Sequence, residues 1–190
     1  CQVSTTLYNA VLRAELNVTE RSPHSMTVHY VDLSEDAAIA GTYKDFKFVN
    51  STEYPIYIEG YTTSDKKITF NIYGKETRDK NRTISFESQM VSETPATTIL
   101  QEDAGQGIGY KAVSSKGSSG YVAELYKIVK VNGVETDRIK VNKSTYKGTN
   151  RVVTYGTAGD PTLSENLRAA IAAQDEALAD ANIAAAVPAQ

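Results

Sequence analysis

Residues 121–142 read YVAELYKIVKVNGVETDRIKVN. Two runs rich in Val, Ile and Tyr meet at Asn132-Gly133. A type I′ turn prefers that dipeptide because both of its central positions need positive φ. The stretch therefore predicts an antiparallel hairpin. Its strands carry apolar residues on both faces, with many charges between them. That pattern predicts a thin, extended sheet stabilised largely by backbone pairing, without a thick core.

The same vocabulary extends upstream. RTISFES (82–88) reads as a strand, and residues 95–121 are rich in Gly, Ser and Thr. Gly105, Gly107 and Gly109 alternate, but the spacing is not that of a nucleotide-binding loop, so backbone twist or close chain approach is the expected reason. KETRDKNR (75–82) is a polar, charged break. Before it, PIYIEGY (55–61) and KITFNIYG (67–74) flank TTSDK and predict a second hairpin, with Ile68, Phe70 and Ile72 on one face. DFKFVN (45–50) places Phe46 and Phe48 on one side, and MTVHYV (26–31) alternates like a strand. Residues 4–16 predict an amphipathic helix, with Leu7, Val11 and Ala14 in register and Ser4 as N-cap. From Gly159 the chain turns Ala-rich and acidic, with Pro161 and Ser164 as helix start signals. Alanine buries little surface, so this tail is expected to pack weakly. The expected class is α+β: a helix with antiparallel sheet over 1–76, a linker at 77–82, an elongated, thin all-β module over 83–157, and an Ala-rich helical or disordered tail over 158–190.

Composition narrows the function classes. Lys and Arg number 20 against 23 Asp and Glu, a net charge of -3 that argues against a nucleic-acid partner. Tyr outnumbers Phe by 12 to 4, as suits half-exposed strands. The chain has one cysteine and hence no internal disulfide. No apolar run is long enough to span a membrane. The segment reads as cut from a longer protein, with any export signal or anchor upstream of Cys1.

One set of residues carries candidate chemistry. Cys1 precedes the predicted helix, where free N–H groups and the helix dipole favour a thiolate. His24 follows in a Pro-containing turn, and Asp36 and Asp45 come later. Cys1, His24 and Asp36, in that order, form a set suited to acyl transfer: thiol nucleophile, imidazole base and orienting carboxylate. The competing reading makes Cys1 a small buried hydrophobe and Asp36 a turn former or solvated charge. His24 and His29 are five apart, an odd separation that points them to opposite faces of a strand. No metal site and no cofactor is expected.

Several blocks together resemble the VanW-like family: CQVSTTLYNAVL, ERSPHS, Asp36-Ala37, and YKDFKFVN followed by STEYPIYIEG. The resemblance covers about residues 1–75. The glycine-rich lead-in that the family places before the Cys is absent, so the stretch resembles the C-terminal part of that domain. Residues 83–157 resemble a G5 domain, through ISFES, the GQGIGY and KGSSGYV glycines, YKIVKVNGVETDR and the closing Tyr155-Gly156-Thr157. The pairing implies an exported protein of a Gram-positive-type bacterium, in the cell envelope or outside the cell. The VanW name comes from vancomycin-resistance gene clusters and establishes no activity. The resemblance implies a module that binds or acts near peptidoglycan or another surface glycan, with the G5-like part as glycan-binding or spacer domain. Tyr110, Tyr121 and Tyr126, read with Tyr146 as exposed, are candidates for stacking on sugar rings. Arg21 is a candidate partner for a carboxylate on a cell-wall peptide. The alternative is a cysteine-dependent enzyme performing acyl transfer or hydrolysis on cell-wall peptides.

Overall fold

The computed structural model describes residues 1–186. It is mostly β, with ten strands in four small sheets and three helices. The closing VPAQ lies outside the described residues. Two compact units emerge, and each is discontinuous in sequence: Cys1–Glu93 with Tyr121–Lys147, and Thr94–Gly120 with residues 148–190. Packing thus cuts across the sequential division expected at 77–82, because the long 121–147 hairpin joins the N-terminal residues.

In the first unit, α1 spans Gln2–Arg13. It starts two residues before the expected Ser4, and Cys1 is its N-cap. The Ser4 hydroxyl instead donates to Cys1 O and to Ala37 O, which ties the first turn to a distant loop. Ser4, Tyr8, Val11 and Leu12 are buried at helical spacing. The helix ends in a Schellman motif: Leu16 N–H donates to Val11 O and Glu15 N–H to Leu12 O. Glu15 takes the left-handed position there, with φ of 55°, where glycine is usual.

Strands β1 (Asn17–Arg21) and β2 (Phe46–Val49) pair antiparallel, as do β3 (Tyr57–Thr62) and β4 (Ile68–Tyr73). A third sheet has the order β5 (Arg82–Thr94), β8 (Gly120–Val131), β9 (Val134–Tyr146). Asn132 and Gly133 both have positive φ at its hairpin turn. Contrary to the expected thin sheet, Ala123, Leu125, Ile128 and Val129 of β8 are buried. Leu125 joins Tyr8, Leu12 and Ala37 in one core, with Val18, Phe46, Phe86 and Val141 against it. Burying a side chain like Leu125 contributes about 1.5–3 kcal/mol. MTVHYV forms no strand. Its alternation finds no partner strand, and Met26 and Tyr30 remain exposed.

In the second unit β10 (Thr149–Ala158) lies between β6 (Thr98–Gly107), to which it is parallel, and β7 (Lys111–Ser118), to which it is antiparallel. A Cβ on Gly156 would come within 2.3 Å of Gly107 O, so only glycine lets the strands approach there. α2 (Pro161–Ala172) is capped by Asp160, whose carboxylate accepts from the N–H groups of Thr162 and Leu163. Leu167, Ala170 and Ile171 of α2 and Ala179 of α3 (Glu176–Ala186) are buried with Leu100, Val153 and Tyr155. The described part of the Ala-rich segment is therefore not a weakly packed tail. Leu167 and Ile171 reach the sheet, with Ile183 packed against the same cluster, while Leu178 stays exposed.

Candidate functional site

The irregular loop between β1 and β2 carries Asp36, which is fully buried. Its position is set by donors from three residues, Arg21, Tyr146 and His24. Arg21 Nη2 donates to Asp36 Oδ1 at 2.9 Å, and Arg21 Nε to the Asp36 backbone O at 2.7 Å. The Tyr146 hydroxyl, at the end of β9, donates to Oδ1 at 2.5 Å. The His24 backbone N–H and ring Nδ1 both reach Oδ2 at 2.6 Å. Burial pushes the Asp36 carboxyl upward, but hydrogen bonds from Tyr146 and His24 and the Arg21 charge outweigh it and hold it below the usual carboxylate range. The expectation of a solvated Asp36 is thus overturned: a buried carboxylate needs this number of donors.

With Asp36 ionised, the His24 Nδ1 that faces it is the hydrogen-bond donor, and Nε2 is the ring nitrogen that the carboxylate does not engage. The ring is 17% exposed and stands edge-on to Tyr30, with centroids 6.3 Å apart. Cys1 is exposed, not a buried hydrophobe. Its Sγ–H is directed at Ile39 O, 3.6 Å away. Segment 36–39 therefore links both groups. On one side it meets the first turn of α1 through Cys1, Ser4 and Thr5. On the other it meets Ser22 and His24, with Ala38 N–H donating to Ser22 O at 2.8 Å. Among the described residues no hydrogen bond joins Cys1 directly to His24.

Arg21 is not free to meet a ligand. Its guanidinium, 6% exposed, is occupied by Asp36 and by Ser144 Oγ at 2.7 Å. The tyrosines divide. Tyr146 is buried against Asp36, not exposed. The Tyr126 hydroxyl donates to Glu124 at 2.6 Å and that of Tyr121 to Glu93 at 3.3 Å, and both rings are half-buried. Tyr110 is exposed and belongs to the second unit. The structure does not gather Tyr110, Tyr121 and Tyr126 into one surface of a single unit. Among the described residues no group of three acidic, His or Cys side chains is placed to hold a metal ion.

An aromatic face that the sequence reading missed lies on the β3–β4 hairpin. Tyr57, Glu59 and Tyr61 share one face of β3 and stand opposite Tyr73, Asn71 and Thr69. Tyr57, Tyr61 and Tyr73 are 65%, 46% and 52% exposed. The Tyr57 and Tyr73 rings stack at 6.1 Å. Glu59 Oε2 accepts from Asn71 Nδ2 at 2.9 Å and from the Tyr73 hydroxyl at 3.2 Å, fixing a polar strip beside the rings. The i, i+4 spacing of Tyr57 and Tyr61 in a strand was the available signal.

Residues 1–73 match the family model described as VanW like protein, and residues 86–158 that of the G5 domain. The chain is thus similar to a VanW-like segment followed by a G5 domain, each match covering less than half of it. Among relatives, it is 45% identical over 58 residues to "Uncharacterized protein YoaR" of Bacillus subtilis (strain 168), a match over 30% of this chain and 19% of that protein's length. Among solved structures, "IgA1 Protease G5 domain structure" is 24% identical with a TM-score of 0.32, covering 44% of this chain and 100% of that one. "Crystal structure of HP0197-G5" is 20% identical with a TM-score of 0.25, covering 40% and 97%. No helix among the described residues is long and apolar enough to cross a membrane.

Proposed function

We propose that this chain is a cell-envelope module that binds peptidoglycan or another surface glycan, and that the VanW-like segment makes the contact. The observation that carries this reading is the hairpin face of Tyr57, Tyr61 and Tyr73 around the Glu59–Asn71 pair. Exposed aromatic faces suit the apolar faces of pyranose rings, and a fixed carboxylate and amide beside them suit sugar hydroxyls. Tyr57 and Tyr61 stand about 13 Å apart along the strand, a span for several linked sugars. The G5 domain serves as a further glycan contact or as a spacer. Sedimentation with purified peptidoglycan and with other insoluble polysaccharides tests the reading. Wild-type protein should pellet with at least one of them, and Tyr57→Ala/Tyr61→Ala should remain in the supernatant. Equal sedimentation of both proteins, or of neither, contradicts it.

A second reading is favoured by one specific contact, the 2.6 Å pairing of His24 Nδ1 with Asp36. It is the orientation that an imidazole needs to act as base through Nε2. With Cys1 anchored to the same 36–39 segment, the set fits acyl transfer or hydrolysis on cell-wall peptides. In that chemistry the Cys1 sulfur bonds the acyl carbon, the leaving amine takes its proton through His24, and water or an acceptor amine then releases the acyl group. Muropeptide profiles of cells expressing full-length protein with Cys1→Ala test it. A profile identical to wild type rules it out.

A further inference from the structure

A cavity of about 820 Å³ opens in the first unit, at the end of α1 opposite to Cys1. Its volume is within the range of small-ligand sites. Its apolar wall comes from Ala10, Ala14, Leu16, Ile56, Phe70 and Ile72. Four cations line it, Arg13, Lys75, Arg78 and Arg82, against three carboxylates, Glu15, Glu53 and Glu76. A local excess of positive charge therefore stands in a chain of net charge -3.

The cations fall into two groups. Arg78 and Arg82 are already committed. Arg82 grips Glu15 with both terminal nitrogens at 2.5 and 2.7 Å, and Arg78 is held by Glu76 at 2.6 Å and Glu15 at 3.2 Å. Lys127 adds a third cation to the same Glu15, at 2.9 Å. Glu15 thus neutralises only a fraction of the charge around it. Arg13 and Lys75 are different: among the described residues neither forms a salt bridge. Arg13 Nη1 donates to the backbone O and Oδ1 of Asn9, and its guanidinium lies 5.8 Å from the Phe86 ring centroid. Lys75 Nζ lies 4.1 Å above the Tyr54 ring and donates to its hydroxyl at 3.0 Å. Glu53, the remaining carboxylate in the lining, likewise has no salt bridge among the described residues, and it gives the site an acceptor for a ligand N–H or O–H.

We infer that this cavity binds a small organic carboxylate, with Arg13 and Lys75 holding the anion and the apolar wall with Tyr54 holding its body. Neither cation forms a salt bridge, although the Arg13 charge also acts on the Glu35 carboxyl, and such groups beside apolar surface form charge-assisted bonds to an incoming carboxylate that are stronger than neutral ones. The anion has two natural sources with the same chemistry, the free C-terminus of a short peptide and the acid group of a uronic acid. The site shares Tyr73 and Asn71 with the tyrosine face, but its cations belong to neither the glycan contact nor the Cys1 set.

The test is a calorimetric or NMR titration of the whole chain with two matched pairs: N-acetyl-dialanine and its C-terminal amide, and glucuronic acid and glucose. At least one acid should bind about tenfold more tightly than its neutral partner, and the pair showing the difference identifies the source. Arg13→Gln/Lys75→Gln, both at exposed positions, should abolish the difference while leaving the unfolding temperature and polysaccharide sedimentation unchanged. Tyr57→Ala/Tyr61→Ala, outside the lining, should leave carboxylate binding intact, which separates this site from the proposed glycan contact. Acid and neutral ligands binding equally, no binding by any of the four, or acid binding that survives in the double variant overturns the inference.

Discussion

Tyr146 and Asp36 are 110 residues apart in sequence, and the phenol of one donates to the carboxylate of the other in the interior of the first unit. The Tyr146 hydroxyl also accepts from the Ser34 N–H at 2.7 Å, so one oxygen satisfies two groups of the β1–β2 loop. Burial, then the Asp36 charge, pushes the Tyr146 hydroxyl above its ordinary range, which keeps it protonated as the donor. Tyr146→Phe removes the donor without creating a large cavity and leaves a buried carboxylate one bond short. The expected cost is about 1–3 kcal/mol of stability, read as a lower urea midpoint at unchanged slope. A midpoint within error of wild type contradicts the assignment.

Glu15 carries the acid sensitivity of the α1 end. The hydrogen bond from Arg82 does most to lower its carboxyl; burial opposes it, and bonds from Lys127 and Arg78 add to it, holding the carboxyl at about 2. That lies below the ordinary glutamate value of 4.5, so the folded protein resists protonating this group. The stabilisation is complete above about pH 4.5 and is lost as pH falls toward about 2. Asp36, also depressed, acts in the same direction. Unfolding temperatures measured from pH 6 to pH 2 should fall through that window. Glu15→Gln should be less stable at pH 6 and should show a shallower fall. Parallel curves for the two proteins rule out Glu15 as the source.

Features written in short stretches were legible in the sequence. Asn132-Gly133 needs only its own two positive φ values to set the hairpin, and Ile68, Phe70 and Ile72 needed only the period of a strand to share a face. The Asp36 cluster was legible as residue types but not as an environment. Its donors come from Arg21, His24 and Tyr146, and nothing within a few residues of Asp36 shows that it is buried. Tyr146 misled for the same reason, since a strand tyrosine reads as exposed until a distant carboxylate claims its hydroxyl. MTVHYV failed differently: alternation predicts a strand only where another strand lies alongside. The Ala-rich segment was judged by its alanines, whereas Leu167 and Ile171 decide its packing. Gln174 strengthens that packing, its side-chain amide bonding both the N–H and the O of Leu100 on β6.

The contact of β6 with β10 makes a sharp prediction at Gly156. A methyl group there would meet Gly107 O at 2.3 Å and the Gln106 backbone carbon at 2.8 Å, and these are backbone atoms that cannot rotate away. Gly156→Ala should therefore force the parallel pair apart, at a cost of about 1–3 kcal/mol. Gly133→Ala serves as a contrast: an added Cβ meets nothing within 4 Å, and only the strain of its φ of 81° is felt. Chemical denaturation should rank Gly156→Ala as the more damaging change. The reverse order contradicts the close approach.

The thiol and the imidazole make the last prediction, which bears on the enzymatic reading alone. Cys1 is exposed, so iodoacetamide should label it in the folded protein without denaturant. If His24 Nε2 takes the proton of that thiol, His24→Gln should slow labelling at pH 7 by about tenfold, because less thiolate is present at equilibrium. Glutamine keeps a side-chain donor for Asp36 Oδ2, and near-ultraviolet circular dichroism checks that the loop retains its packing. At pH 10, where any exposed thiol is ionised, the two proteins should label at the same rate. That convergence distinguishes loss of a base from a mere change in access, which would slow labelling at both pH values. Equal rates at pH 7 would leave the His24–Asp36 pair with a structural role and the glycan-binding reading without a catalytic rival.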